Sequence, residues 1–447
     1  MTSLVWLRRS LRLYDNPGLH LALESSQSAI VLYIDCPQQD ALHQISPHQR
    51  QLVKQCWNSV SQSLNNNGIQ TIWLDGSDYA DLPHQLEALC RQHQVEHIYY
   101  QKEYLLNEQQ RDKAVYAMCQ QHGIQIHAHH GFYLVPPGKV TKSDGAPYKV
   151  YTPFKKAFIQ QLLDQPLAPK PLPDALSTSQ SAVADPILDR LSEFIQTQAP
   201  DYKAKRDFPA QNATSQLSAA LAIGQVSPRQ CLASLLANYG PEIYDPQHAC
   251  HNWLSQLIWR DFYGHIAWHF PQVIKGKAFK EETDNIAWHE SPSQLAAWQS
   301  GQTGFPIVDA GMRQLNQTGW MHNRVRMIVA SFLTKDLFIN WREGEQYFMR
   351  HLIDADFANN NGGWQWAAST GTDAAPYFRV FNPTTQSERF DPNGDYIRRY
   401  VPELSGLSGK QIHNPPNAIR KQVGYPEAMV DHKAARQYAI DIFKALG

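Results

Sequence analysis

Over its first 130 residues the chain alternates between two hydrophobic periods. Short runs rich in β-branched and aromatic residues fall at Leu4–Leu7, Ile30–Ile34, Ile69–Leu74, Val95–Tyr100 and Ile124–His127. Each predicts a buried strand. Between most of them apolar residues recur at three- and four-residue steps, as from Pro47 to Asn67 and from Asn107 to His122, and these segments predict helices. Gly68 and Gly123 follow two of the helices, where a chain leaving a helix turns left-handed, and a strand begins directly after each. Strand–helix alternation of this kind predicts a parallel sheet covered on both faces, an architecture common among nucleotide binders. The stretch around the end of the first strand reads WLRRSLRLYDN, with no glycine-rich phosphate loop, so this region is not expected to hold a dinucleotide pyrophosphate.

The pattern changes further along. Five prolines lie between Pro166 and Pro186, with Ser177, Thr178, Ser179 and Ser181 in the gap. Proline interrupts helices and favours extended chain, so a long connection rather than packed structure is expected there. From about residue 201 the helical period dominates, for example over Val325–Ile339 and Glu345–Ile353. Its breaks are expected as sharp loops at GQTGFP, NNNGGW and TGTDAAP. The fold class that follows is a Rossmann-like α/β parallel-sheet domain over 1–130, a linker over 131–200 and an all-α domain over 201–447.

Composition narrows the function. The chain has 447 residues and a formal charge of −1, which excludes a polycation that binds nucleic acid by total charge. The six cysteines form no CxxC pair and read as reduced, buried thiols. The N-terminal apolar run is short and interrupted by arginines, and no stretch approaches about 18 uninterrupted apolar residues, so neither a signal peptide nor a membrane span is expected. His127, His129 and His130 cluster without a carboxylate or cysteine at familiar ligand spacing, so no metal is assigned. Tryptophan is the outlier. Nine of the 12 lie between Trp253 and Trp366, a density that suggests a stacking platform or a cofactor pocket.

Longer motifs carry more information. The segment from GWMHNRVRMIVASF through FANNNGGWQWAASTGTDAAPYFRVFNPTTQSERF to RRYVPEL strongly resembles the photolyase/cryptochrome family. TSQLSAALAIGQVSPRQC, LIWRDFYGHIAWHFP and the N-terminal WLRRSLRLYDNPGL resemble the same family. The resemblance covers nearly the whole chain and is nearest to the bacterial class I cyclobutane pyrimidine dimer (CPD) photolyases. It implies an α/β antenna domain joined by a long linker to a helical domain that binds FAD, with the reduced anionic flavin as the working form.

The resemblance also implies roles for individual residues. Tyr202 and the run Thr214, Ser215, Gln216, Leu217 and Ser218 would contact the FAD phosphates, where hydroxyls and N–H groups at a helix start suit an anion. Trp253 would border the flavin, Arg326 and Asp354 would lie near it, and Asp356 would lie by the ribose. Asn360 would face the flavin N5, where an amide accepts or donates a hydrogen bond and brings no titrating charge. Trp259 and Trp366 would be the aromatic walls receiving a flipped-out lesion, with Asn323 and Met327 in the CPD-type pocket. The (6-4) photolyases carry His at those two positions. Arg260, Arg324 and Gln386 fall at DNA-contact positions. Trp364, Trp341 and Trp288 match an electron relay from flavin to surface. One position departs: the CPD enzymes usually carry Glu where this chain has Gln256, which keeps hydrogen bonding but supplies neither charge nor proton. Repair with altered efficiency is therefore expected.

Asn107 and Glu108, with Lys275, resemble the set that binds a folate antenna, methenyltetrahydrofolate. A deazaflavin or an empty antenna site are the alternatives. The function implied is light-driven CPD repair in UV-damaged DNA. A cryptochrome-type blue-light receptor and (6-4) repair are the competing readings, both supported by Gln256. No membrane and no obligate protein partner are implied, and the expected protein is a cytoplasmic, bacterial, DNA-associated monomer.

Overall fold

The computed structural model describes residues 2–177 and 185–446. The expectations at Thr178, Ser179 and Ser181 therefore lie outside the described residues. By compactness the chain falls into two units: residues 1–203 with 215–271, and residues 204–214 with 272–447.

The first unit is built on five parallel strands, β1 (Thr2–Leu7), β2 (Ser28–Asp35), β3 (Gln70–Asp75), β4 (Val95–Gln101) and β5 (Gln125–His129), in the order β3-β2-β1-β4-β5. Alternate residues of β1 bury on opposite faces. Leu4 and Trp6 join Ile30, Leu32, Leu86 and Val115 on one side, while Val5 and Leu7 join Leu19, Val31, Trp57 and Leu64 on the other. A strand apolar on both faces belongs inside a sheet covered by helices twice over. The helices Pro47–Asn66 and Leu106–Gln121 are followed by Gly68 at φ +73° and Gly123 at φ +71°, the left-handed turns that the sequence predicts.

The stretch that stands in place of a phosphate loop works as an internal clamp. Arg9 Nε donates to the Ala222 carbonyl and Arg12 Nη1 to the Gly224 carbonyl, both at 2.9 Å. Asp15 accepts from Ser227 and from Arg229 Nε. Gly224 lies at φ +77°, and a Cβ there would overlap the backbone of Arg9, so only glycine lets the two segments meet. These bonds tie the 222–229 segment to the sheet.

The proline-rich connection is more packed than its composition suggests. Asp15 exchanges two hydrogen bonds with the backbone of Lys170, and Leu172 and Leu176 reach the core beside β1. Prolines rule out regular structure but not burial of the leucines between them.

The second unit is helical. Its buried centre includes Trp298, Val308, Leu315, Met321, Phe332, Trp341 and Trp364. The predicted Val325–Ile339 helix is an α-helix over Asn323–Ser331 that widens to a π-helical turn at Phe332–Asp336. NNNGGW is not the loop expected from its composition; it lies inside the helix Phe357–Ala368. Asp356 caps that helix by accepting the Asn359 N–H. Asn361 donates to Glu345 and accepts from Gln365, so amides that would otherwise favour a turn are satisfied within the helix bundle. All six cysteines are free and buried.

Candidate functional site

In the second unit the helix Phe357–Ala368 carries three of the expected site residues. Successive residues turn by about 100°, so Trp364 and Trp366, two positions apart, point to nearly opposite sides. Trp364 is buried against Trp298 and Phe348, whereas Trp366 is partly exposed. One helix thus separates an inward indole from an outward one. Gly344 makes the inward placement possible, since a Cβ there would overlap the Trp364 ring. Trp341 is buried as well, under the guanidinium of Arg342 at 4.5 Å, and Trp288 is partly exposed beside Phe338 and Phe443. Burial therefore falls off from Trp364 and Trp341 to Trp288.

Asn360 lies on the same helix. Its Nδ2 donates to the Glu345 carbonyl at 2.9 Å, which fixes the amide and turns Oδ1 into the group left to accept. Gly363 is exposed, and a Cβ added there would meet nothing within 4 Å, so this side of the helix has room for a bulky ring. Glu345 is buried, and burial pushes its carboxyl up to about 7 despite the Asn361 hydrogen bond and nearby Arg342. Asp354 accepts two bonds from Arg326 Nη2, at 2.8 and 3.1 Å, while Arg326 Nε donates to the Met321 carbonyl. Asp356 is partly spent as the helix cap.

The helix Asn323–Ser331 packs directly on Phe357–Ala368. Asn323 and Met327 stand one turn apart on it and share a face, Asn323 exposed and Met327 partly so. Arg324 is prepositioned: Asp207 accepts its Nη2 at 2.9 Å, and its guanidinium lies 4.4 Å over the Phe390 ring. Neither Asp207 nor Phe390 carries a sequence signal that singles it out. Gln386 is partly exposed on the helix Pro383–Phe390, and Lys275 is exposed.

In the first unit the helix His251–His269 presents Gln256, Trp259 and Arg260 at helical spacing. Gln256 Nε2 donates to the Asn252 carbonyl one turn back. Arg260 is mostly committed. It donates to the Phe132 and Leu221 carbonyls, lies over the Phe132 ring at 4.1 Å, and its side chain is only 11% exposed. Trp253 is buried against Phe194, which also meets the Tyr202 ring. Ser218 opens the short helix Ser218–Ile223 after Leu217, which is buried and caps with no side-chain bond. Thr214 and Ser215 are half-buried, and Gln216 adopts the left-handed φ of +55°, uncommon for a residue with a side chain.

Asn107 and Glu108 open the helix Leu106–Gln121 without capping it by a side chain. Asn107 Nδ2 instead meets His43 Nε2 at 2.8 Å, and the Tyr79 hydroxyl donates to Glu108. His43 and Tyr79 are additions that no sequence pattern revealed. The histidine cluster is split: His127 meets His97 across β4 and β5, while His129 is half-buried with both ring nitrogens covered, and that desolvation pushes it down to about 3.

Sequence comparison assigns a domain family to each of two stretches of the chain. Residues 3–174 match the DNA photolyase domain, and residues 253–445 match the FAD binding domain of DNA photolyase. The chain belongs to the DNA photolyase family. It is 43% identical to the deoxyribodipyrimidine photo-lyase of Escherichia coli (strain K12), over 99% of this chain and 98% of that one. Against the enzyme of the same name from Vibrio cholerae it is 41% identical over 99% of both chains. Among solved structures, a bacterial class III photolyase from Agrobacterium tumefaciens matches with a TM-score of 0.85 and 34% identity, covering 100% of this chain and 97% of that one. A Synechocystis cryptochrome matches with a TM-score of 0.86 and 29% identity, over 99% of both chains.

Proposed function

We propose that this protein repairs cyclobutane pyrimidine dimers in UV-damaged DNA with light, using FAD. The observation that carries the reading is the 43% identity over 99% of the chain to a deoxyribodipyrimidine photo-lyase. A receptor role has less support, since the cryptochrome match has the lower identity, 29%. Asn323 and Met327, in place of two histidines, disfavour (6-4) repair.

The residues present suit the cofactor. Reduced and photoexcited FAD supplies an electron that opens the cyclobutane ring and then takes it back, so no net redox change occurs. The Oδ1 of Asn360 would be free to accept from the flavin N5–H, because its Nδ2 is held by Glu345. That polarity favours the reduced flavin, which has a proton to donate there. Arg326 and Asp354 would flank the flavin, and Asp356 would meet the ribose. Tyr202 and Thr214, Ser215, Gln216, Leu217 and Ser218 bind the phosphates, with Trp253 at the border of the site. Trp288, Trp341 and Trp364 would carry electrons inward when oxidised flavin is photoreduced, from the partly exposed Trp288 toward the buried Trp341 and Trp364.

The damaged bases stack on Trp259 and Trp366, each contact worth about 1–3 kcal/mol. A dimer is already poorly stacked, so extruding it costs only a few kcal/mol. Asn323, Met327 and Gln256 would contact the lesion, while Arg324, Gln386 and the largely committed Arg260 would support the DNA strand. Residues 1–130 form the antenna domain, 131–200 the linker and 201–447 the FAD- and DNA-binding domain. Methenyltetrahydrofolate at Asn107, Glu108 and Lys275 is the antenna. The protein works as a monomer in the bacterial cytoplasm. No helix among the described residues is long and apolar enough to cross a membrane.

The test uses the protein with reduced FAD, oligonucleotides bearing either a CPD or a (6-4) product, and blue light. CPD loss well above the dark control is expected; no such loss sinks the reading, and selective loss of the (6-4) product replaces it. Gln256→Glu should then raise the CPD repair yield, because a carboxylic acid supplies the proton and charge that the amide lacks. An equal or lower yield would show that the amide is no handicap.

A further inference from the structure

We propose that Tyr151, from the linker segment, is a positioning residue for the lesion: its ring backs the Trp259 indole and sets the plane on which a flipped-out pyrimidine stacks. The proposal rests on the reading of Trp259 as a lesion wall. The two rings lie face to face, with centroids 3.6 Å apart and planes 8° from parallel. Free aromatic pairs prefer an offset or edge-on geometry with centroids farther apart. So close an overlap needs external constraint, and the structure supplies it at both ends of Tyr151. The phenol O–H donates to the Ser255 carbonyl at 2.8 Å, one turn before Trp259 on the same helix. The ring edge meets Phe262, also on that helix.

The backbone of Tyr151 is anchored as well. It opens the helix Tyr151–Asp164, whose Phe154 packs on Phe262 at 5.1 Å and on His265 at 4.9 Å. Tyr151 is buried, whereas Trp259 is partly exposed. One face of the indole is therefore covered, and a base can stack only on the other. Phe262 and Tyr263 contact Trp259 at centroid distances of 5.6 Å and restrict its rotation further. A wall held flat before substrate arrives loses little conformational freedom on binding, so more of the stacking energy appears as affinity.

The test compares Tyr151→Leu, Tyr151→Phe, Trp259→Ala and the Tyr151→Leu/Trp259→Ala pair. Affinity for a CPD oligonucleotide and for the same undamaged strand is measured, with FAD content, Tm and repair yield at saturating substrate. Tyr151→Leu should weaken CPD binding about 3- to 10-fold, the range of an aromatic pair, with undamaged-strand affinity and saturating yield unchanged. Tyr151→Phe keeps the flat face but loses the Ser255 bond, and should bind CPD more tightly than Tyr151→Leu and no better than the parent. In the Trp259→Ala background, Tyr151→Leu should have no further effect, a non-additivity that a general structural role would not produce. If Tyr151→Leu does not fold, Tyr151→Met, which refills the space without a flat ring, carries the same expectation. Undiminished CPD binding with a leucine or methionine at 151 overturns the proposal, as does an equal loss on both strands. If Trp259→Ala itself leaves CPD affinity intact, the reading of Trp259 as a wall fails first.

Discussion

Gly344→Ala is expected to slow the photoreduction of oxidised FAD by about tenfold or more, the factor that a penalty of ~1.4 kcal/mol on the transfer would bring. The added methyl group overlaps the Trp364 ring, and Trp364 has nowhere to retreat. It is buried between Trp298, at a centroid distance of 6.0 Å, and Phe348, at 4.9 Å. Overpacking of this kind typically costs about 1–3 kcal/mol, so Tm should fall by several degrees. Repair by protein reduced beforehand should persist, because ring opening does not use the relay. Trp288→Phe is the natural companion: it should slow photoreduction with the fold intact. Transient absorption after a blue flash, together with thermal melts, measures both effects. A parent-like photoreduction rate in Gly344→Ala would mean that the position of Trp364 does not control the inner step.

Glu345→Gln is expected to change how stability depends on pH. Burial raises the Glu345 carboxyl to about 7, against an ordinary glutamate value of about 4.3 in the unfolded chain. The folded state thus binds the proton more tightly than the unfolded state does. The associated stabilisation is complete below about pH 4 and is lost as pH rises through about 7, a difference of roughly 3 kcal/mol. Glutamine keeps the oxygen that accepts from Asn361 but never ionises. The variant should therefore match the parent near pH 4.5 and exceed its stability by roughly 3 kcal/mol at pH 8. Asp261 in the first unit is also raised to about 7 by burial, so the difference between variant and parent is the informative quantity. Urea melts across this range decide the matter, and parallel profiles at every pH would falsify the assignment. The effect bears on function because the same residue's carbonyl holds the Asn360 amide.

Both predictions concern neighbours of the site that carry no chemistry themselves and no distinctive local sequence signal. Long motifs mark the tryptophans and Asn360, because such positions are distinctive in kind and spacing. Gly344 and Glu345 sit in an ordinary amphipathic stretch, and their importance depends on what another helix places beside them. Tyr151 is similar. It lies in a segment expected to be linker, yet its ring covers Trp259 more than 100 residues later in the chain.

The sequence alone determined the elements whose signal is local. The five strands appear within two residues of their predicted limits, since alternation and continuous apolar runs report burial directly. The turns at Gly68 and Gly123 follow from the freedom of glycine at positive φ. Tertiary structure decided the cases in which local preference and long-range satisfaction disagree. NNNGGW prefers a turn in isolation, but Asp356, Glu345 and Gln365 satisfy its amides and keep it helical. Leu172 and Leu176 lie amid prolines, but β1 and its covering helices offer them a core. The chain also breaks into compact units along lines that periodicity does not mark. Arg9, Arg12 and Asp15 bond to residues some 200 positions away, which ties the 222–229 segment to the sheet. Hydrogen bonds and ring contacts between distant residues leave no period in the sequence, because each depends on two stretches of chain meeting only after folding.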